Sequence, residues 1–198
     1  MFQQSSKQYY ILVFLLFISV FYGFQKHVEV NKQQEYLVPH LKERVWNLQS
    51  ETNTTSVIMG TVMRENEIPY AQWVQLKNGF KAIEDTSYEI EKLAKAIYPR
   101  HAEELQFATR TSASLIAGEL RYLEATLLEE DMDRLDTVTF PKEMEATLVR
   151  IHETAAAWSE ATNPFIGLPS NLIDQTDWVD MLKEMEDDSI AYQDGYGD

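Results

Sequence analysis

The chain has 198 residues, of which 44% are hydrophobic, and this length and composition fit one ordinary domain with a packed core and exclude global disorder. It contains no cysteine, so disulfides, thiolate zinc sites and cysteine nucleophiles are excluded. Its formal net charge of −15 repels phosphate backbones, which disfavours nucleic-acid binding and favours cationic partners.

A hydrophobic run without formal charge follows the short N-terminus, residues 1–8, and extends over residues 9–24. At about 1.5 Å per residue a helix of this run spans roughly 24 Å, and the stem of Lys26 can help to cover a hydrocarbon core of about 30 Å. The pattern predicts a transmembrane anchor that binds membrane lipid. The residues expected to hold it there are Tyr9, Tyr10, Leu15, Phe17 and Phe24.

Two other interpretations of this run stay open. A cleaved secretory signal has similar length and position, but its cleavage site needs small residues, and Val20 to Phe24 are bulky almost throughout. A buried core helix is the third interpretation. With the anchor, we expect a single-pass protein of the cell membrane with its N-terminus inside and its domain outside, whereas cleavage would release a secreted domain.

After the run, residues 25–38 are polar and predict a stalk. Pro39 lies at the first turn of a short amphipathic helix that is expected to end near Ser50. Residues 52–56 are polar and poor in helix formers, which indicates a turn. Residues 57–64 fit either a strand or a helix.

Pro69 opens a clearer element, because apolar residues recur at steps of three and four as far as Ile97, which predicts a helix of about 28 residues. Tyr98-Pro99 interrupts it, since proline disfavours helical geometry in the preceding residue. A second long helix is expected to begin at once and to reach about Glu130. Two long helices joined by a tight break favour an antiparallel pair.

Two more helices are predicted towards the C-terminus. One begins at Pro141 after a charged connector and ends near Ala161, and an apolar loop follows it; the last runs from Asp174 to Glu186. The acidic residues 188–198 predict a flexible tail. The predicted fold class is therefore all-α: an N-terminal transmembrane or signal-anchor helix followed by a four- or five-helix antiparallel bundle over residues 39–187.

No catalytic, metal-binding or cofactor-binding motif is recognisable. The four histidines lack the spacing of a helical zinc pair, and no glycine-rich phosphate loop or nucleophile elbow occurs. We therefore expect no catalytic residue, no metal and no cofactor, and an enzyme is the least favoured class.

Large aromatic residues near the ends of predicted elements suggest a different role. Exposed together, they would form a docking patch for another protein, because aromatics are favoured at interface centres; these candidates are Trp46, Trp73, Trp158, Phe165 and Trp178. The leading hypothesis is an anchored protein that interacts or assembles with another envelope or surface protein. The alternative is an extracytoplasmic module that binds a small ligand or cation, which would need a convergent polar pocket instead.

Overall fold

The computed structural model describes residues 37–127, 137–167 and 175–195. The chain divides into two compact units, Met1–His40 and Leu41–Asp198, and the second unit contains the elements that follow, apart from residues 37–40 of the first helix. The predicted anchor at residues 9–24 and the stalk as far as residue 36 lie outside the described residues and stay predictions. Within the described ranges, no helix combines the length and the apolar content needed to cross a bilayer.

Five α-helices dominate the part of the chain that the structure describes, which confirms the all-helical fold and the helical bundle. Residues 37–65 form α1, which is followed by α2 (Tyr70–Ile97), α3 (Ala108–Leu127), α4 (Glu145–Thr162) and α5 (Asp177–Asp194). Short 3-10 turns at Lys142–Met144 and Asn163–Phe165 flank α4.

Side-chain contacts show how the helices run. Lys77 of α2 pairs with Glu124 of α3 at 2.5 Å, while Lys95, farther along α2, donates to the Leu105 carbonyl just before α3 begins. The α2–α3 pair is therefore antiparallel, as predicted. Contacts between α1 and α2, between α1 and α4, and between α4 and α5 follow the same reversed order.

The contact between α3 and α5 is the exception, because these two helices run in parallel. The Ala108 N–H at the start of α3 donates to Glu186, and one turn later the Ser112 hydroxyl donates to the Ser189 carbonyl at 2.8 Å. Gln193, one turn farther along α5, donates to the Ser112 hydroxyl at 2.9 Å. Polar side chains thus mediate the contact between these two parallel helices. The order of the helices along the chain predicts only antiparallel neighbours.

The turn predicted at residues 52–56 is wrong, because α1 continues through it. The Thr52 and Thr55 hydroxyls donate to carbonyls three and four residues earlier, at 3.0 and 2.9 Å, which satisfies them inside a helix. Thr52 also meets Thr162 of α4 at 2.7 Å, and Thr55 lies against Gly79 of α2. Packing on two helices outweighs the weak helix propensity of this segment.

The helix expected directly after Pro99 begins later, at Ala108. Phe107 just before it has a left-handed φ of 60°, and the backbone N–H groups of Gln106, Phe107 and Ala108 donate to carboxylates of other helices. If the helix began earlier, these N–H groups would donate to carbonyls of the same helix. The carboxylates of the other helices accept them instead. Residues 98–107 are therefore an irregular connection.

The last helix continues past Glu186 to Asp194, so residues 188–194 are helical and the predicted flexible tail is wrong there. Ser189 and Tyr192 are buried, and the Tyr192 hydroxyl donates to Glu119 of α3 at 2.6 Å. Local composition indicated a loose tail, but contacts with α3 hold this segment in the helix.

A two-stranded antiparallel sheet closes one end of the bundle. Glu67–Pro69 (β1) pairs with Thr137–Thr139 (β2), and Ile68 lies opposite Val138. Asn66, with a φ of 56°, ends α1 and donates its side-chain amide to the Phe140 carbonyl at 3.1 Å. These pairings link the α1–α2 and α3–α4 connections, and neither short strand was predicted.

Candidate functional site

Most of the aromatic residues proposed for docking lie in the core. Trp73, Trp158 and Trp178 are buried, Phe165 is half-buried, and Trp46 alone of the five is strongly exposed, at 58%. The structure therefore does not bring the five together on one surface.

The buried tryptophans have specific packing partners. The Trp158 indole N–H donates to the Met185 carbonyl and to the Ser189 hydroxyl at 3.2 and 3.1 Å, which joins α4 to α5. Trp73 packs on Phe140 with ring centroids 5.7 Å apart. These contacts satisfy the Trp158 indole N–H and pack the ring of Trp73, so both side chains stabilise the bundle. Trp178 packs on Tyr98 with ring centroids 6.2 Å apart, and its buried indole N–H has no hydrogen-bond partner among the described residues.

Trp46 lies on the outer side of α1. Val57, eleven positions later and about three helical turns away, is exposed on the same side at 62%. Asn53 lies exposed between them. The two apolar side chains are about 16 Å apart along the helix axis, so they do not form a continuous patch.

The surface with the strongest chemical character is acidic and lies on α4 and α5. These helices carry ten acidic residues against two basic ones. We call five neighbouring carboxylates the acidic face: Glu153, Glu160, Glu184, Asp187 and Asp188. Within the described residues no ion pair neutralises any of them.

Electrostatic interaction indicates that four members of the acidic face lie close together, and the fifth, Glu153, lines a groove with Asp188. Partial burial raises the pKa of Asp188, and the charges of Glu184, Asp187 and Glu160 raise it further. Because Glu160 belongs to α4 and the others to α5, the repulsion crosses the contact between the two helices. The folded protein holds these charges together at an energetic cost.

A groove of about 290 Å³ runs beside the acidic face between α4 and α5. Its lining combines two carboxylates with one cation and several neutral side chains: Glu153, Asp188, Arg150, Thr154, Ala157, Ala191 and Tyr192. Ile190 is partly exposed nearby on α5, at 39%. The groove thus combines small apolar side chains with two carboxylates, while the Arg150 guanidinium in its lining donates to the Gly195 carbonyl and stacks on Tyr192.

Metal binding has no comparable support in the described ranges. They contain no group of three or more histidine, aspartate and glutamate side chains placed to hold a metal ion. The acidic face is therefore a surface of like charges without the converging ligands of a cation site.

The acidic face was not predicted from the sequence as a unit. The acidic residues 188–198 were predicted to be a flexible tail, and the carboxylates of α4 were not connected with them. The continuation of the three-and-four spacing through Met185, Ser189 and Tyr192 could have indicated the longer helix, had small polar residues been accepted as buried.

Comparison of the chain with protein-family models, with curated proteins and with solved structures found no match. The functional interpretation therefore depends on the charges and contacts of the described residues.

Proposed function

We propose that this chain is a membrane-anchored, extracytoplasmic interaction protein whose helical domain binds a cationic partner protein of the cell envelope or cell surface. The observation that carries the proposal is the acidic face, where five carboxylates lie together without cationic partners among the described residues. A partner with lysine and arginine side chains would neutralise them and relieve their repulsion.

The groove between α4 and α5 supports this type of partner. Lysine and arginine bury their aliphatic stems on apolar surface while their charged ends reach carboxylates. Ala157 and Ala191 provide such apolar surface beside Glu153 and Asp188, and Arg150, the cation that lines the same groove, donates to the Gly195 carbonyl. A basic segment of another protein therefore fits both the shape and the charge of this surface.

The binding part of the proposal is tested with a defined probe. A fluorescent peptide rich in lysine and alanine should bind the full-length chain in detergent at roughly 50 mM salt, and binding should weaken about tenfold or more at roughly 300 mM. The triple variant Glu160→Gln, Glu184→Gln, Asp187→Asn should lose most of this binding, as measured by fluorescence anisotropy.

A matched control separates the acidic face from the general negative charge. Glu67→Gln, Glu103→Gln and Glu104→Gln remove the same charge from exposed positions elsewhere on the domain. This control should bind the peptide nearly as well as the unmodified chain. Equal loss in both triple variants would show that net charge alone attracts the peptide and would contradict the proposed surface.

The anchoring part of the proposal is supported by the hydrophobic run at residues 9–24. The full-length chain should stay in the membrane fraction after an alkaline wash, and an external protease should digest its C-terminal domain in intact cells. Recovery of the unprocessed chain in the soluble fraction would contradict the anchor, whereas a shortened soluble chain would indicate cleavage and secretion.

A further inference from the structure

Two buried carboxylates bind three successive backbone N–H groups where α3 begins. Glu186 of α5 accepts hydrogen bonds from the N–H groups of Gln106 and Ala108, each at 2.8 Å. Glu91 of α2 accepts one from the Phe107 N–H at 2.9 Å. The side chains of two helices thus hold the end of the connection at residues 98–107.

This connection has a conformation that its own residues disfavour. Phe107 has a φ of 60°, in the left-handed region that bulky side chains rarely adopt. That conformation lets three neighbouring N–H groups point inwards, as in backbone nests that bind anions. In this protein the anions are the Glu91 and Glu186 carboxylates, so their hydrogen bonds offset the strain at Phe107.

The charges around these carboxylates do not balance. Glu91 and Glu186 are almost fully buried, with 3% and 5% of their surfaces exposed. Lys95 of α2 lies 3.5 Å from Glu91 and also donates to the Leu105 carbonyl. In the part of the chain that the structure describes, Lys95 and Glu186 are the charged side chains that act on Glu91.

Other ionisable groups lie nearby without contacting Glu91. Tyr88 packs on the Phe107 ring, and Arg110 and Lys92 stack on Tyr88 at 4.3 and 5.1 Å from its centroid. On the outer side of the connection, His101 contacts Asp180 of α5 at 2.7 Å, and Lys183 lies 3.7 Å from the same carboxylate. The buried pair thus has two possible negative charges beside one cation.

We propose that Glu91 and Glu186 form a proton-dependent latch, which holds residues 98–107 against α5 when the pair carries one proton and loosens when it carries none. With one proton, the remaining carboxylate is balanced by Lys95, and both glutamates still present oxygen atoms to the three N–H groups. Without that proton, two negative charges repel each other in a buried site, and exposure to water relieves the repulsion.

The pH range over which the latch works follows from the direction in which the pKa of Glu91 is shifted. Burial, reinforced by the charge of Glu186, raises the pKa of Glu91 from an ordinary 4.5 to about 7. The closed site therefore takes up a proton relative to a site opened to water. Closure is favoured most below pH 4.5, and this advantage is lost progressively as the pH rises to about 7.

Hydrogen exchange of the full-length chain in detergent tests the latch. After correction for intrinsic exchange, the amides of residues 98–108 should exchange at least ~10-fold faster at about pH 7.5 than at about pH 5. Glu91→Gln should remove this dependence and keep the slow exchange at both pH values, because its amide carbonyl still accepts the Phe107 N–H and carries no charge.

Two controls distinguish the latch from other titrations. Glu89→Gln removes an exposed carboxylate from the same helix and should leave the pH response unchanged. His101→Gln removes the surface contact with Asp180, and it should also leave the response unchanged. Loss of the response in His101→Gln, or its persistence in Glu91→Gln, would overturn the proposal.

A measurement on the unmodified chain covers the case in which Glu91→Gln does not fold. The carboxyl ¹³C resonance of Glu91 should titrate with a midpoint near 7, in step with the change in amide exchange. A midpoint near 4.5, or amide exchange at residues 98–108 that is independent of pH, would exclude the latch.

Discussion

The α2–α3 pair and the α4–α5 pair are built alike, as two antiparallel helices packed through an apolar stripe, but they differ in how their surface charges are arranged. The first pair carries six basic and six acidic residues, and Lys77 and Lys81 form ion pairs with its glutamates. The second carries two basic and ten acidic residues. Folding alone favours the first arrangement, so the unpaired charge of the second suggests a role outside the domain.

The comparison also separates two kinds of acidic residue on α5. Glu186 is buried and fully used by backbone N–H groups, whereas Glu184, two positions earlier, is exposed and belongs to the acidic face. Two carboxylates two positions apart on one helix thus have different roles. Glu186 stabilises the fold, and Glu184 contributes to the charge of the acidic face.

The largest effect is expected at Glu186. Glu186→Ala leaves the N–H groups of Gln106 and Ala108 without an acceptor, the second of them in a buried position, and should lower the free energy of unfolding by about 3 kcal/mol. Glu184→Ala, the matched exposed control, should change it by less than ~0.5 kcal/mol. Urea denaturation measures both, and similar losses in the two variants would contradict the different roles of Glu186 and Glu184.

The next largest effect concerns the packing of α2, the charge-balanced helix. A Cβ atom at Gly79 would lie 2.6 Å from Thr55 Cγ2 on α1, so Gly79→Ala should lower the free energy of unfolding by about 1–3 kcal/mol. Gly118→Ala on α3 meets no atom within 4 Å and should raise it by about 0.5–1 kcal/mol through helix propensity. Thermal unfolding of the two variants should shift in opposite directions.

A smaller effect is expected when the acidic face is neutralised. Glu160→Gln combined with Asp187→Asn should raise the free energy of unfolding by up to about 1 kcal/mol at low salt, because like charges are removed. The gain should shrink in high salt. Lys81→Gln on α2 should instead destabilise the domain slightly, since it removes contacts with Glu84 and Asp85 at 3.1 Å. A stabilising Lys81→Gln would contradict the proposed difference between the charge-balanced α2–α3 pair and the acidic α4–α5 pair.

The smallest effect concerns pH. The raised pKa of Asp188 means that folding takes up a proton there, so its contribution to stability falls as the pH rises above the ordinary value of 3.8. Asp188→Asn should therefore be slightly more stable than the unmodified domain near neutral pH, and the difference should vanish near about pH 3. Urea denaturation midpoints at both pH values measure the difference in stability. A difference that occurs only at the acidic pH would contradict the raised pKa of Asp188.

Regular spacing made the helices predictable where it was strong. The stripe from Trp73 to Ile97 and the prolines at positions 69 and 99 placed α2 almost to the residue, because these patterns act within a few turns of one helix. The same reasoning failed at residues 52–56 and 188–194, where Thr and Ser side chains are buried by contacts with other helices. The acidity of the surface was visible in composition, but its concentration on one face was not.

Composition and short-range spacing are enough to predict a helical, acidic, cysteine-free domain that is interrupted at its prolines, because both act within neighbouring turns of one helix. Contacts between helices set which polar residues are buried, where α3 begins and where α5 ends. The same contacts place three tryptophans in the core and the carboxylates of the acidic face on α4 and α5. Those outcomes depend on residues far apart in the chain, such as Glu91 and Glu186. Their charges and hydrogen bonds affect the fold strongly because packing removes these side chains from water.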